Sequence, residues 1–134
     1  MTEEEKKLLI LDLSFRLSCG VYIQHPDFTE PQILDTIFNY SAYEGGLIQV
    51  ASDDIGDEGH SLIDCRPYLR CLSSMTKEEK EEYDEFEFIY AGFFGFAKES
   101  CDLIDWLNEH HFDYRGLIDL GLAIEAKKGM YDVN

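Results

Sequence analysis

The apolar pattern of this chain changes period at Cys19-Gly20, and the change limits which folds the sequence can adopt. Before it, Leu9, Leu13 and Leu17 recur at helical spacing along one face. Thr2 with Glu5 is the capping-box signature that opens such a helix, and Gly20 suits the left-handed turn that closes one. After the break the segments shorten and fill with branched and aromatic residues. Val21 to His25 reads as a strand stopped by Pro26. Gln32 to Tyr40 reads as a second strand, with Ile33 and Ile37 facing opposite to Leu34, Phe38 and Tyr40. Leu47 to Ala51 follows a Tyr43-Glu44-Gly45-Gly46 turn as the other arm of a hairpin. His60 to Cys65 makes a fourth strand, halted at Pro67. Short strands in succession predict a small antiparallel sheet or an SH3-like partial barrel.

The second half returns to helical signals. Thr76 with Glu79 repeats the capping box ahead of the helix-forming stretch Lys77 to Glu82. Tyr83, Phe86, Tyr90 and Phe93 follow at helical spacing, yet Glu85-Phe86-Glu87-Phe88 alternates as a strand would. Residues 85–91 therefore satisfy both patterns, and Gly92 and Gly95 bracket a break. A third helix is expected from about Ser100 to Glu109, with Leu103, Ile104 and Leu107 inward around Trp106. A short fourth is expected over Tyr114 to Leu120, capped by Asp113 and closed by Gly121. No repeat, linker or low-complexity segment divides the 134 residues, so the expectation is one α+β domain. It has an N-terminal helix, the small sheet or partial barrel, and a helical C-terminal half.

Charge narrows the choice of partners. The net charge is −17, from 28 acidic and 11 basic residues. Residues 1–67 hold 13 acids and 4 bases, and residues 68–134 hold 15 and 7, so no basic face hides within the average. Direct nucleic-acid binding is disfavoured, because gripping phosphates requires Lys and Arg to displace counterions. The same field repels anionic membranes and attracts basic protein surfaces. Its plainest role is to keep a small protein soluble. The longest uninterrupted apolar run, Leu8 to Leu11, is far too short to span a membrane. The charged N-terminus lacks the apolar stretch of a secretory signal. Cys19, Cys65, Cys71 and Cys101 form neither a C-x-x-C pair nor a zinc-ribbon spacing, which points to reduced, mostly buried thiols in a cytoplasmic protein.

Three segments invite a chemical reading, and each has a simpler one. Asp53 to Gly59 resembles a calcium loop, but Ile55 at its third position and Glu58 at its sixth break the required register. Glu109, His110, His111 and Asp113 gather ligands and bases, although adjacent helical residues point about 100° apart. The simpler reading places both histidines at the negative end of a helix, where an imidazolium is favoured, with Asp113 capping the next helix. Phe86 to Phe96 holds eight apolar side chains in eleven residues; most must be core, while Phe93, Phe94 and Phe96 are candidates for an exposed partner-binding patch. Gly92-Phe93-Phe94-Gly95 matches no P-loop or dinucleotide fingerprint, so no cofactor and no catalytic residue is assigned.

The stretches Arg66-Pro67-Tyr68-Leu69-Arg70-Cys71-Leu72-Ser73-Ser74-Met75-Thr76-Lys77-Glu78-Glu79 and Asp105-Trp106-Leu107-Asn108-Glu109-His110-His111-Phe112-Asp113-Tyr114-Arg115-Gly116-Leu117-Ile118, with Met1 to Leu17, carry a resemblance. They are similar to a family of small acidic proteins from Bacteroides-type gut bacteria, their phages and mobile elements. The likeness covers about half the chain; residues 26–60 and 84–100 are individual, and Cys71 stands where relatives have proline. The family has no assigned activity, so no residue role carries over. The resemblance implies a bacterial or prophage origin, a cytoplasmic location and an accessory role.

Together these readings predict a non-enzymatic acidic interaction module, a modulator of a protein with a basic surface. A narrower form is a DNA mimic whose carboxylates imitate phosphates. The rival class is a small metal-dependent hydrolase using Glu109, His110, His111 and Asp113. Oligomeric state is not written in the sequence.

Overall fold

Both capping boxes form. Thr2 Oγ1 accepts the Glu5 amide at 3.0 Å, and Glu5 Oε1 accepts the Thr2 amide at 3.2 Å, which starts helix α1 (Glu3–Arg16). A 3-10 turn and Gly20, at φ +69°, end it as expected. The computed structural model describes residues 1–38, 46–54, 58–91 and 97–131.

The strands are β1 (Tyr22–Gln24), β2 (Gln32–Phe38), β3 (Leu47–Val50), β4 (His60–Ser61), β5 (Arg66–Leu69) and β6 (Ile124–Glu125). They form one sheet in the order β4-β3-β2-β1-β5-β6, antiparallel except for the parallel β5–β6 pair. β2 and β3 make the expected hairpin, though Tyr43 to Gly45 of its turn lie outside the described residues. The predicted alternation in β2 fails at one point. A register shift between Leu34 and Thr36 inserts an extra residue, so Leu34 and Ile37 both pack on the core.

The fourth strand is shorter than expected. His60 and Ser61 pair with β3, and a 3-10 turn over Leu62–Asp64 then leads into β5. Pro67 does not halt the chain; it lies within β5 opposite Ile23 of β1. Pairing to β6 starts only at Tyr68, so the missing Pro67 amide costs no bond on that side. The direct link from β4 to β5 curls the sheet, and His25, just past β1, meets the Ser61 carbonyl of β4 at 3.0 Å. The sheet is thus a partial barrel rather than a flat layer.

Two helices follow, α2 (Lys77–Ala91) and α3 (Ala97–Glu109). Residues 85–91 are helical, continuous with the run that Thr76 and Glu79 open. Tyr114 to Leu120 is a set of turns, not the expected helix. Gly116 sits at φ +74°, outside the right-handed helical range, and stops any helix there. Asp113 still binds the segment, accepting the Leu117 and Ile118 amides at 2.8 and 3.0 Å.

Among the described residues, two cores hold these parts together. Leu9, Ile10 and Leu13 of α1 pack with Val21, Ile23, Leu34, Ile48, Leu62, Leu69, Leu117 and Leu122 in an aliphatic cluster. Burying each such side chain contributes about 1.5–3 kcal/mol. Trp106, Leu107 and Phe112 form an aromatic cluster with Tyr83 and Phe86 of α2 and with Leu103 and Ile104. An ionic bridge runs between the two. Asp12 and Arg16 of α1 are fully buried and paired at 2.8 Å; Asp12 also takes Arg115 at 2.8 Å, and Arg16 donates to the Phe112 carbonyl at 2.6 Å. Charges removed from water this completely fix the seating of α1 more than they add net stability.

Candidate functional site

The end of β5 and the start of α2 are joined by one carboxylate. Glu79 completes its capping box by accepting the Thr76 amide at 2.9 Å, and both its oxygens receive the Arg70 guanidinium at 2.7 and 2.8 Å. Those Arg70 bonds outweigh the effect of burial and, with the Thr76 amide, hold the Glu79 carboxyl down at about 2. Arg70 also lies over the Phe112 ring at 4.3 Å, which ties the ion pair to the aromatic core.

Helix α3 ends beside this pair in a Schellman motif. The Phe112 amide reaches the Leu107 carbonyl at 3.0 Å, and the His111 amide reaches that of Asn108 at 3.0 Å. His111 takes the left-handed position at φ +62°, which usually falls to glycine or asparagine. Its ring stacks on Tyr131 with centroids 3.6 Å apart, and its Nδ1 is buried without a hydrogen-bond partner. Burial, then the nearby charges of Arg16 and Arg70, push its pKa down to about 4. His111 is therefore neutral, contrary to the expected imidazolium. His110 packs at the helix end itself, with Nδ1 at 2.8 Å from the Trp106 carbonyl.

These elements wall a cleft of about 790 Å³. Tyr22, Ile33, Met130 and Tyr131 supply apolar surface, and Glu78, Glu79, Glu82 and Glu109 supply charge. Arg70 cancels Glu79, while Glu78, Glu82 and Glu109 are exposed. Glu82 also accepts the Trp106 indole N–H at 2.7 Å. The arrangement suits a long cationic side chain, whose methylenes would lie on the apolar wall and whose head would meet the carboxylates.

A second constellation lies across the curled sheet. His25, Asp27 and His60 bring one ligand atom each within 4.8 Å of one another. Asp27 Oδ2 is 2.8 Å from His60 Nδ1 and 3.6 Å from His25 Nδ1. His60 Nε2 meets Asp53 Oδ2 at 3.1 Å. Burial alone would lower the His60 pKa; its hydrogen bond to Asp27 and the charge of Asp53 outweigh that and raise it. The His60 hydrogen bond in turn lowers the Asp27 carboxyl.

The residues singled out in sequence distribute unevenly over these places. His110 and His111 line the cleft with Glu109, but their rings serve different neighbours and Asp113 is spent on backbone amides. The four do not converge on one point. Phe93, Phe94 and Phe96 lie outside the described residues, as do Ile55 to Asp57 of the calcium-like loop. Asp53 of that loop holds the Val50 amide at 2.9 Å as well as His60. Among the described residues, no helix is long and apolar enough to cross a membrane. No family model, no curated protein and no solved structure matches the chain.

Proposed function

We propose that the protein is a non-enzymatic interaction module whose cleft receives a lysine- or arginine-bearing segment of a basic protein partner. The observation that carries this reading is the pairing of apolar wall and exposed carboxylates in one cleft, with Glu78, Glu82 and Glu109 beside Tyr22, Ile33 and Met130. The even negative field of the chain supports it, because such a field speeds encounter with cationic surfaces. An accessory or modulator role, as the family resemblance implies, fits a small module of this kind.

The test is capture from a bacterial lysate, with the wild type and a Glu78→Lys/Glu82→Lys/Glu109→Lys variant compared on the same resin. A stoichiometric partner retained by the wild type, released by rising salt and absent from the variant supports the proposal. Equal retention by both proteins moves the interface elsewhere. Recovery of a DNA-binding protein that duplex DNA displaces would favour the narrower DNA-mimic form.

A further inference from the structure

We propose that His25, Asp27 and His60 form a binding site for a divalent ion of the zinc class. The site shares no lining residue with the cleft and does not depend on the function proposed for it.

The argument starts from the imidazoles. The Asp27 amide donates to His25 Nδ1 at 3.0 Å, so that nitrogen bears a lone pair and the proton sits on Nε2, facing the Ser61 carbonyl at 3.0 Å. His60 is held the same way round, with Nε2 on Asp53 Oδ2 at 3.1 Å and Nδ1 turned to Asp27. Each ring therefore has its outer nitrogen fixed by an acceptor and its inner nitrogen turned to one shared carboxylate. Metal-binding histidines are oriented by such outer carbonyl and carboxylate partners.

Spacing agrees with chemistry. Nitrogen and oxygen donors bound to zinc at about 2.0–2.1 Å lie roughly 3.3 Å apart in a tetrahedron. The His25–Asp27 separation of 3.6 Å is already close to that, and the 2.8 Å His60–Asp27 contact opens slightly as an ion replaces its proton. His25 would exchange the Asp27 amide for the metal as its Nδ1 partner. Two imidazoles with one carboxylate favour zinc over calcium or magnesium, which take all-oxygen sets. His25 is buried, Phe28 lies 4.5 Å from the His60 ring, and the Asp27 side chain is 54% exposed, giving a walled site with one open side. Three protein ligands leave a fourth position for water or a substrate atom.

The experiment uses the full chain stripped with chelator, then titrated with zinc chloride by calorimetry and followed by thermal melting. One ion per chain is expected, with a melting rise of about 5 °C at saturating zinc and none with magnesium or calcium. Asp27→Ala and His60→Gln should each weaken zinc binding more than tenfold, and Asp53→Asn by about tenfold. Asp27 is half-exposed and leaves its backbone bond to His25 intact, so Asp27→Ala keeps the test valid even where a histidine variant fails to fold. Cobalt(II) loading separates this site from the four cysteines: the expected spectrum lacks a thiolate charge-transfer band. Absence of zinc binding, unchanged affinity in Asp27→Ala, or a thiolate band would each overturn the proposal.

Discussion

His110 and His111 adjoin in the chain and part in space, whereas His25, just past β1, and His60 of β4 are far apart in the chain and meet at one carboxylate. The first pair is divided by the end of α3. The left-handed turn at His111 sends one ring onto Trp106 and the other onto Tyr131. The second pair is united by the curl of the sheet, which carries the end of β1 to β4. The surroundings differ as much as the geometry. His111 sits among cations and is held neutral; His60 sits between carboxylates and is held toward its charged form. Density of ligand-type residues in a sequence is thus a poor guide to a site, and curvature of a sheet a better one.

The largest expected effect breaks the His110–His111 side of this contrast. Glu79→Ala leaves Arg70 buried and unpaired and removes one capping box, so it should cost about 3–5 kcal/mol in chemical denaturation. If the contrast holds, the folded fraction of that variant still binds zinc as the wild type does.

A smaller effect should appear on acidification. His111 has a folded pKa of about 4 against an ordinary 6.5, so below 6.5 the unfolded chain takes up a proton that the fold refuses. Stability should fall on the order of 2 kcal/mol as pH drops from about 6.5 to about 4. His111→Asn tolerates the left-handed backbone and should flatten that part of the denaturation-midpoint profile. The Glu79 carboxyl contributes a separate loss, present above its ordinary 4.5 and disappearing as pH falls toward about 2.

The smallest effect should come from His60→Gln in the presence of chelator. His60 packs on Phe28 and bonds a half-exposed Asp27, so without metal its melting point should move less than that of either variant above. A shift as large as that of Glu79→Ala would mean that the His25–His60 pair, too, is primarily a structural device.

Local signals in the sequence were legible because each needs only residues a turn apart. Thr2 with Glu5, Thr76 with Glu79, and Gly20 declare helix ends through hydrogen bonds the chain makes with itself. The hairpin of β2 and β3 was readable for the same reason. Hidden features depend on distant partners or on one inserted residue. The bulge near Asp35 reverses a face that simple alternation cannot register. Gly116, read as part of a helix, takes a conformation set by the contacts of Asp113 and Leu117. β6 is a two-residue strand whose only signal is the pair it makes with β5. The meeting of His25 with His60 required the curl, and neither histidine sits in a recognisable motif.

The parallel β5–β6 pair also dictates an order of events during synthesis. Its strands are separated by both C-terminal helices, so the outer side of β5 cannot be covered until Ile124 and Glu125 exist. Tyr131 then locks the arrangement, donating to the Tyr68 carbonyl at 2.8 Å and accepting the Tyr22 amide at 2.9 Å. A ribosome-bound chain that has exposed only α1 through β5 carries an unfinished edge, open to pairing with its neighbours. Completion of this sheet therefore waits on the segment that follows both helices, with Tyr131 serving as the clasp.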